Sequence, residues 1–138
     1  MTEIALISVV DDDPSVRRSL SSLIRSSGFH VMLFESAEEF LRYGDPRQWA
    51  CLVLDIKLPM MSGLELQHYL AAAGYELPII FITANSESSL REQALAAGAI
   101  EFLNKPFSDE ALIETIERAV VSEGKDEEGR GEGGVGNE

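Results

Sequence analysis

Six polar residues of this chain stand at the ends of short runs that are mostly apolar. Asp11-Asp12-Asp13 follow Ile4–Val10, Asp55 follows Cys51–Leu54, Thr83 follows Ile79–Ile82, and Lys105 follows Glu101-Phe102-Leu103-Asn104. If these ends meet, at least three carboxylates, a hydroxyl and an ammonium share one crevice. Two carboxylates about 5 Å apart repel by roughly 3 kcal/mol at an effective dielectric near 20. Three of them raise one another's pKa or demand a cation. Lys105 brings a single positive charge, which leaves the group negative. A hard divalent ion held through oxygen fits, and magnesium suits few carboxylates, retained waters and a shared phosphate. No softer metal is indicated, because His30 and His68 stand apart and Cys51 is the one cysteine.

Singly, each residue has a plainer reading. Asp13 stands directly before Pro14, the place of a helix cap. Asp55 alone could open a loop, Thr83 could be an ordinary strand end, and Lys105 an exposed loop lysine. What weakens these readings together is that one sheet edge would collect them all.

The positioning elements follow from the hydrophobic pattern. The apolar runs Ile4–Val10, His30–Phe34, Cys51–Leu54, Ile79–Ile82 and Ala99–Leu103 are too short for helices, and most carry Val, Ile or Leu on both faces. Strands of a parallel sheet covered on both sides have that composition. Between them lie stretches with helical spacing. Val16, Leu20, Leu23 and Ile24 form one; Leu66, Leu70 and Ala73 another. Leu90, Ala94 and Ala97 form a third, Leu112, Ile116, Ala119 and Val120 a fourth, and Ala37, Phe40 and Leu41 a shorter one. Gly28, Gly44, Gly74 and Gly98 suit helix ends. Asp13-Pro14, Ser36, Ser62, Asn85 or Ser86, and Ser108 suit helix starts, with Ser36 and Glu39 as a capping box. The order is strand then helix, five times. The right-handed crossover rule makes this a doubly wound α/β domain, whose ligand crevice lies at the carboxyl ends of the strands.

Composition narrows the function. The 138 residues carry 24 acids against 11 Lys and Arg, a formal net charge of -13. Nucleic-acid binding by this chain itself is not expected, since phosphate contacts need clustered Lys and Arg. No run approaches the roughly 18 apolar residues of a membrane span, and the N-terminal residues carry no secretory signal. A cytoplasmic domain is expected. Residues 1–121 are predicted to fold. Residues 122–138 hold six glycines and Val135 as their one apolar side chain. They are expected to be a disordered acidic tail, a docking tail, or the start of a linker, because such a segment cannot offset its ordering entropy by burial.

Val9-Val10-Asp11-Asp12-Asp13, Leu54-Asp55-Ile56-Lys57-Leu58-Pro59-Met60-Met61-Ser62-Gly63, Ile82-Thr83-Ala84 and Lys105-Pro106-Phe107 together resemble the receiver domain of bacterial two-component response regulators. The likeness covers about residues 4–121 and is greatest to FixJ-type receivers. It implies a five-stranded parallel sheet of order 2-1-3-4-5 with five helices, a flavodoxin-like fold. It implies Asp55 as phosphoacceptor and a Mg2+ site of Asp12, helped by Asp11, with Asp55 and the backbone carbonyl of Lys57. It implies Thr83 as switch hydroxyl, Phe102 as switch aromatic, Lys105 as the phosphoryl-pairing lysine, and a cis bond at Lys105-Pro106. A carboxylate can attack phosphorus, and a metal ion with a lysine offsets the charge of the transferring group. The implied partners are a sensor histidine kinase and, when phosphorylated, a second copy meeting the fourth helix in chain order (over Leu90–Ala97), the fifth strand (Ala99–Leu103) and the fifth helix (over Leu112–Val121). Lys57 and Asn85 occupy positions that vary among receivers and bear on phosphoryl lifetime. FixJ-type receivers usually precede a helix-turn-helix output domain; this chain is expected to be either a piece of such a regulator or a stand-alone receiver.

Two other classes fit the residues less well. A phosphatase or phosphotransferase of the haloacid-dehalogenase type also uses a strand-end Asp and magnesium, but wants a second acid two residues later. That position is Lys57. A phosphorylation-independent interaction domain would tolerate loss of Asp55, Lys105 or the acid pair, and all are present. The domain is expected to assist its own phosphorylation and dephosphorylation without being a turnover enzyme.

Overall fold

In the computed structural model, residues 4–84 and 87–131 are described, with side chains through residue 121. The strands are β1 (Leu6–Val10), β2 (His30–Phe34), β3 (Cys51–Asp55), β4 (Ile79–Thr83) and β5 (Glu101–Asn104). The helices are α1 (Pro14–Ser26), α2 (Ala37–Tyr43), α3 (Gly63–Ala72), α4 (Ser88–Ala96) and α5 (Asp109–Gly131), with a 3-10 turn at Pro46–Gln48. The sheet is parallel throughout, in the order β2-β1-β3-β4-β5.

Side-chain alternation along the strands divides the core in two. Ile7, Val9, Cys51, Val53, Ile80 and Ile82 point toward Leu20 and Ile24 of α1 and Leu112, Ile116 and Ala119 of α5. Val10, Phe34, Leu52, Leu54, Phe81 and Phe102 point toward Ala37 and Phe40 of α2, Leu66 and Leu70 of α3, and Ala94 of α4. Each fully buried aliphatic or aromatic side chain contributes about 1.5–3 kcal/mol of transfer free energy. β3, the middle strand, is buried over its whole length.

The caps form largely as read. Asp13 accepts from the Ser15 N–H at 2.8 Å, and Ser108 from the Ala111 N–H at 3.0 Å. Gly28 takes φ +98° after α1, donates to the Arg25 carbonyl, and the Phe29 N–H reaches Ile24. Ser36 accepts from Glu39, but the Glu39 carboxylate returns to the Glu35 N–H rather than to Ser36, so only half of the expected box closes. The complete box is Ser62 with Glu65. α4 begins at Ser88 behind Glu87, later than the expected cap; Asn85 and Ser86 lie outside the described residues. α5 runs on to Gly131, past the boundary drawn at residue 121. Once a helix is nucleated on the sheet, each added residue gains a hydrogen bond at low cost. The rest of the expected tail, 132–138, lies outside the described residues.

Candidate functional site

The register brings the strand ends level. Val10 stands opposite Leu54, and Asp55 opposite Ile82. Asp11 and Asp12, directly beyond β1, therefore meet Asp55 at the end of β3. One carboxylate oxygen from each of Asp11, Asp12 and Asp55 lies within 4.8 Å of the others. Asp11 is fully buried and Asp55 is 6% exposed, whereas Asp12 is open to solvent.

The cation arrives from the β5–α5 turn. The Lys105 N–H donates to the Thr83 carbonyl at 2.8 Å, carrying the β4–β5 ladder one residue past the strand. The Lys105-Pro106 bond is cis, as the resemblance implies. Nζ of Lys105 lies 3.1 Å from Oδ2 of Asp11 and 3.5 Å from Oδ2 of Asp55. Asp11 is anchored on every side. Its Oδ1 accepts from the Asp13 N–H at 2.9 Å, its N–H donates to Phe34, and its carbonyl accepts from Nη1 of Arg17 at 2.7 Å.

Burial, then the neighbouring Asp11 carboxylate, push Asp55 up to about 6, against the pull of Lys105 and the Lys57 N–H. Burial works against the Lys105 ammonium, but the Asp11 hydrogen bond and the charges of Asp55 and Asp11 hold it above its ordinary value. Near pH 7 the pocket therefore holds an ionised Asp55 beside a charged Lys105, a carboxylate with nucleophilic lone pairs and a cation for a developing oxyanion.

The β3–α3 loop, part of the segment that carries the resemblance, holds contacts that no sequence pattern indicates. Gly63 packs against the backbone of Asp55 and Ile56, and its N–H donates to the Ile56 carbonyl at 2.9 Å. Met60, 80% exposed, takes φ +63°. Glu38 of α2 reaches across to accept the Met61 N–H at 3.0 Å, leaving its Oε1 buried without a hydrogen bond. The Ser62-to-Glu65 spacing was legible as a capping box. Glu38 and Met61 are 23 residues apart and carry no sequence signal of their pairing. Lys57, two residues past Asp55, has an exposed side chain and gives its N–H to Oδ1 of Asp55 at 3.3 Å.

Thr83 is fully buried one residue beyond Ile82, the partner of Asp55 in the register. The Phe102 ring, the switch aromatic that the resemblance implies, lies inward beside β4, 2% exposed, with its centroid 6.3 Å from that of Phe81. Over it, Nη1 of Arg91 on α4 donates to the Phe102 carbonyl at 3.0 Å. Gln67 of α3 also holds α4, through its Nε2 and the Ala94 carbonyl at 3.0 Å. Asn85 is outside the described residues.

A doubly wound sheet with three carboxylates and a lysine at its carboxyl edge makes this an α/β domain with its site where such folds bind ligands, beyond the strand ends. Comparison narrows it: residues 7–117 match the response regulator receiver domain family, and the chain belongs to it. It is 43% identical over 121 residues to nodulation protein W of Bradyrhizobium diazoefficiens, covering 88% of this chain and 53% of that one. It is 38% identical over 137 residues to the transcriptional regulatory protein FixJ of Azorhizobium caulinodans, covering 97% of this chain and 65% of that one. Among solved structures, the response regulator StyR superposes with a TM-score of 0.85 at 44% identity, over 93% of this chain and 65% of that one. FixJ-N superposes with a TM-score of 0.78 at 38% identity, over 86% and 95%. The chain spans about half the length of the first curated relatives it matches. It is thus a FixJ-type response regulator receiver domain. Among the described residues no helix is long and apolar enough to cross a membrane.

Proposed function

We propose that Asp55 accepts a phosphoryl group from a phosphohistidine of a sensor histidine kinase, with Mg2+ in the acid pocket. A carboxylate oxygen of Asp55 forms the new bond to phosphorus. The bond from phosphorus to the imidazole nitrogen breaks, and its electron pair stays on that nitrogen. The observation that carries the reading is the convergence of Asp11, Asp12, Asp55 and the Lys105 ammonium at one sheet edge.

The donor set fits magnesium: it is all oxygen, few in number, and partly open to water. The hydrogen bonds to the two oxygens of Asp11, 2.9 and 3.1 Å, are shorter than the 3.3 and 3.5 Å to those of Asp55, and Asp12 is open to solvent, which favours Asp12 and Asp55 as direct ligands with Asp11 behind them. The Lys57 carbonyl is the remaining candidate. When bound, the ion offsets negative charge on the phosphoryl oxygens. Lys105 pairs with a further phosphoryl oxygen from the side of β5. The absence of an acid at position 57 supports phosphoryl storage over haloacid-dehalogenase-type turnover.

The output of the phosphorylated state is assigned to the face of α4, β5 and α5, as a surface for a second copy or a partner, with Thr83 and Phe102 beneath it. The light hold on α4 supports this: Ala94 is its one buried residue, and Arg91 and Gln67 tie it by single hydrogen bonds. The acid excess supports leaving nucleic-acid contact to other segments of a longer protein. A cytoplasmic setting fits such a partner, and the acidic, glycine-rich composition of residues 122–138, into which α5 continues, fits the start of a linker.

The test is incubation with a small acyl phosphate and Mg2+, read by intact mass. One phosphoryl group should add to the parent and none to Asp55→Asn or to the parent with chelator. Labelling of Asp55→Asn to the parent level overturns the assignment.

A further inference from the structure

We propose that Arg17 is a positioning residue for the acid pocket: by holding the Asp11 carbonyl, it fixes the peptide plane from which Asp12 projects, and with it the pocket's fit to a divalent cation. The inference rests on the Mg2+ reading of the pocket.

The need arises where β1 leaves the sheet. Val10 is the last residue of β1 paired with both neighbours, Phe34 and Leu54. The Asp11 N–H still finds the Phe34 carbonyl at 3.1 Å. Its own carbonyl belongs to a residue with no exposed surface and lies past the end of the ladder. A buried carbonyl left unpaired is costly. Arg17 supplies the partner, at the short distance of 2.7 Å for a charge-assisted bond.

That bond controls more than one oxygen. The carbonyl of Asp11 and the N–H of Asp12 lie in one planar peptide unit, so fixing the oxygen fixes the direction in which the chain enters Asp12. Asp11 itself needs no such help, since Asp13 and Lys105 hold its carboxylate. Asp12 does, because its side chain is exposed and packing does not aim it.

The placement of Arg17 agrees. It sits one turn into α1, near the end where the helix dipole disfavours a cation, and the first turn holds no acid to offset it. The neighbouring Arg18 is exposed and reaches only the Ser15 hydroxyl, at 3.5 Å. The two arginines therefore make a matched pair of cations, one tied to the pocket and one not.

The sign of the effect separates positioning from charge. A cation next to a metal site repels the ion, so removing its charge alone should tighten Mg2+ binding. Removing a positioning bond should loosen it. The experiment is a Mg2+ titration followed by backbone amide shifts, on the parent, Arg17→Met, Arg17→Lys and Arg18→Met, with urea midpoints measured in parallel. Arg17→Met is expected to weaken Mg2+ binding by about tenfold, the scale of one charge-assisted hydrogen bond. Arg17→Lys should recover part of the loss and remain a few-fold weaker than the parent. Arg18→Met should bind as the parent does. Parental or tighter binding by folded Arg17→Met overturns the inference, even if its urea midpoint falls. If Arg17→Met does not fold, Arg17→Lys decides, and parental affinity there overturns it equally. A parent chain that binds no Mg2+ overturns the reading of the pocket itself.

Discussion

Gly63 lies with its bare Cα against the backbone of Asp55, so close that a β-carbon there would overlap the Asp55 carbonyl oxygen and come within 2.9 Å of Ile56 Cα. The first turn of α3 is thereby seated on the peptide that follows Asp55, the proposed phosphoacceptor. The helix can approach only because this residue has no side chain.

Gly63→Ala is therefore expected to push α3 and the β3–α3 loop apart. All three of the nearest atoms it would meet are backbone, which cannot swing away as a side chain can. A destabilisation of about 1–3 kcal/mol is expected, the range for overpacking in a close-packed interior. Urea denaturation measures it. The same variant should take up phosphate more slowly, because the displaced peptide carries Asp55.

A pH dependence follows from Asp55. Its folded pKa of about 6 stands above the ordinary carboxylate value of about 4. A raised carboxylate pKa means that the folded chain binds the proton more tightly than the unfolded one. Stability is then greatest below the unfolded pKa and falls as pH rises through about 4 to 6. Asp55→Asn removes the buried charge and should stabilise the fold at pH 7 by about 1–3 kcal/mol. Urea midpoints at pH 5 and pH 7 check this: the parent should lose stability between them and the variant should lose less. Equal losses would place the titration elsewhere. Phosphorylation of the parent should slow below pH 6, as Asp55 takes up its proton.

Thr83→Ala tests the output surface. Thr83 is buried and lies beside the strand that carries Phe102. Phosphate can shift α4 only by binding one arrangement better than another. The variant should still gain one phosphoryl group but lose most of the phosphate-linked change in self-association or in amide exchange of α4. A variant that couples as strongly as the parent would show that the change does not run through Thr83. Because Phe102 is already inward here, the expected change is a movement of α4 over a seated ring.

What the sequence determined by itself was local and repetitive. Runs such as Cys51–Leu54 can only be buried strands, since their apolar residues leave no polar face. Gly28 after an apolar helical stripe, and Asp13 before Pro14, mark a stop and a start whatever the chain packs against. Five strand–helix repeats place their carboxyl ends on one edge, so Asp11, Asp12, Asp55, Thr83 and Lys105 were legible as one site. The strand order came from the resemblance.

Tertiary structure alone decided the contacts between residues far apart in the chain or different in kind. Periodicity places apolar faces, but it does not say that α1 and α5 share one side of the sheet and α2, α3 and α4 the other. Single polar bonds such as Arg17 to Asp11 and Glu38 to Met61 depend on one atom reaching another, and one such event leaves no repeating pattern in a sequence. The missing side chain of Gly63 acquires meaning only once α3 is docked on Asp55. The continuation of α5 to Gly131 is likewise a property of a helix already anchored by Leu112, Ile116 and Ala119, because propagation from a formed helix costs far less than the nucleation that composition alone would have to supply.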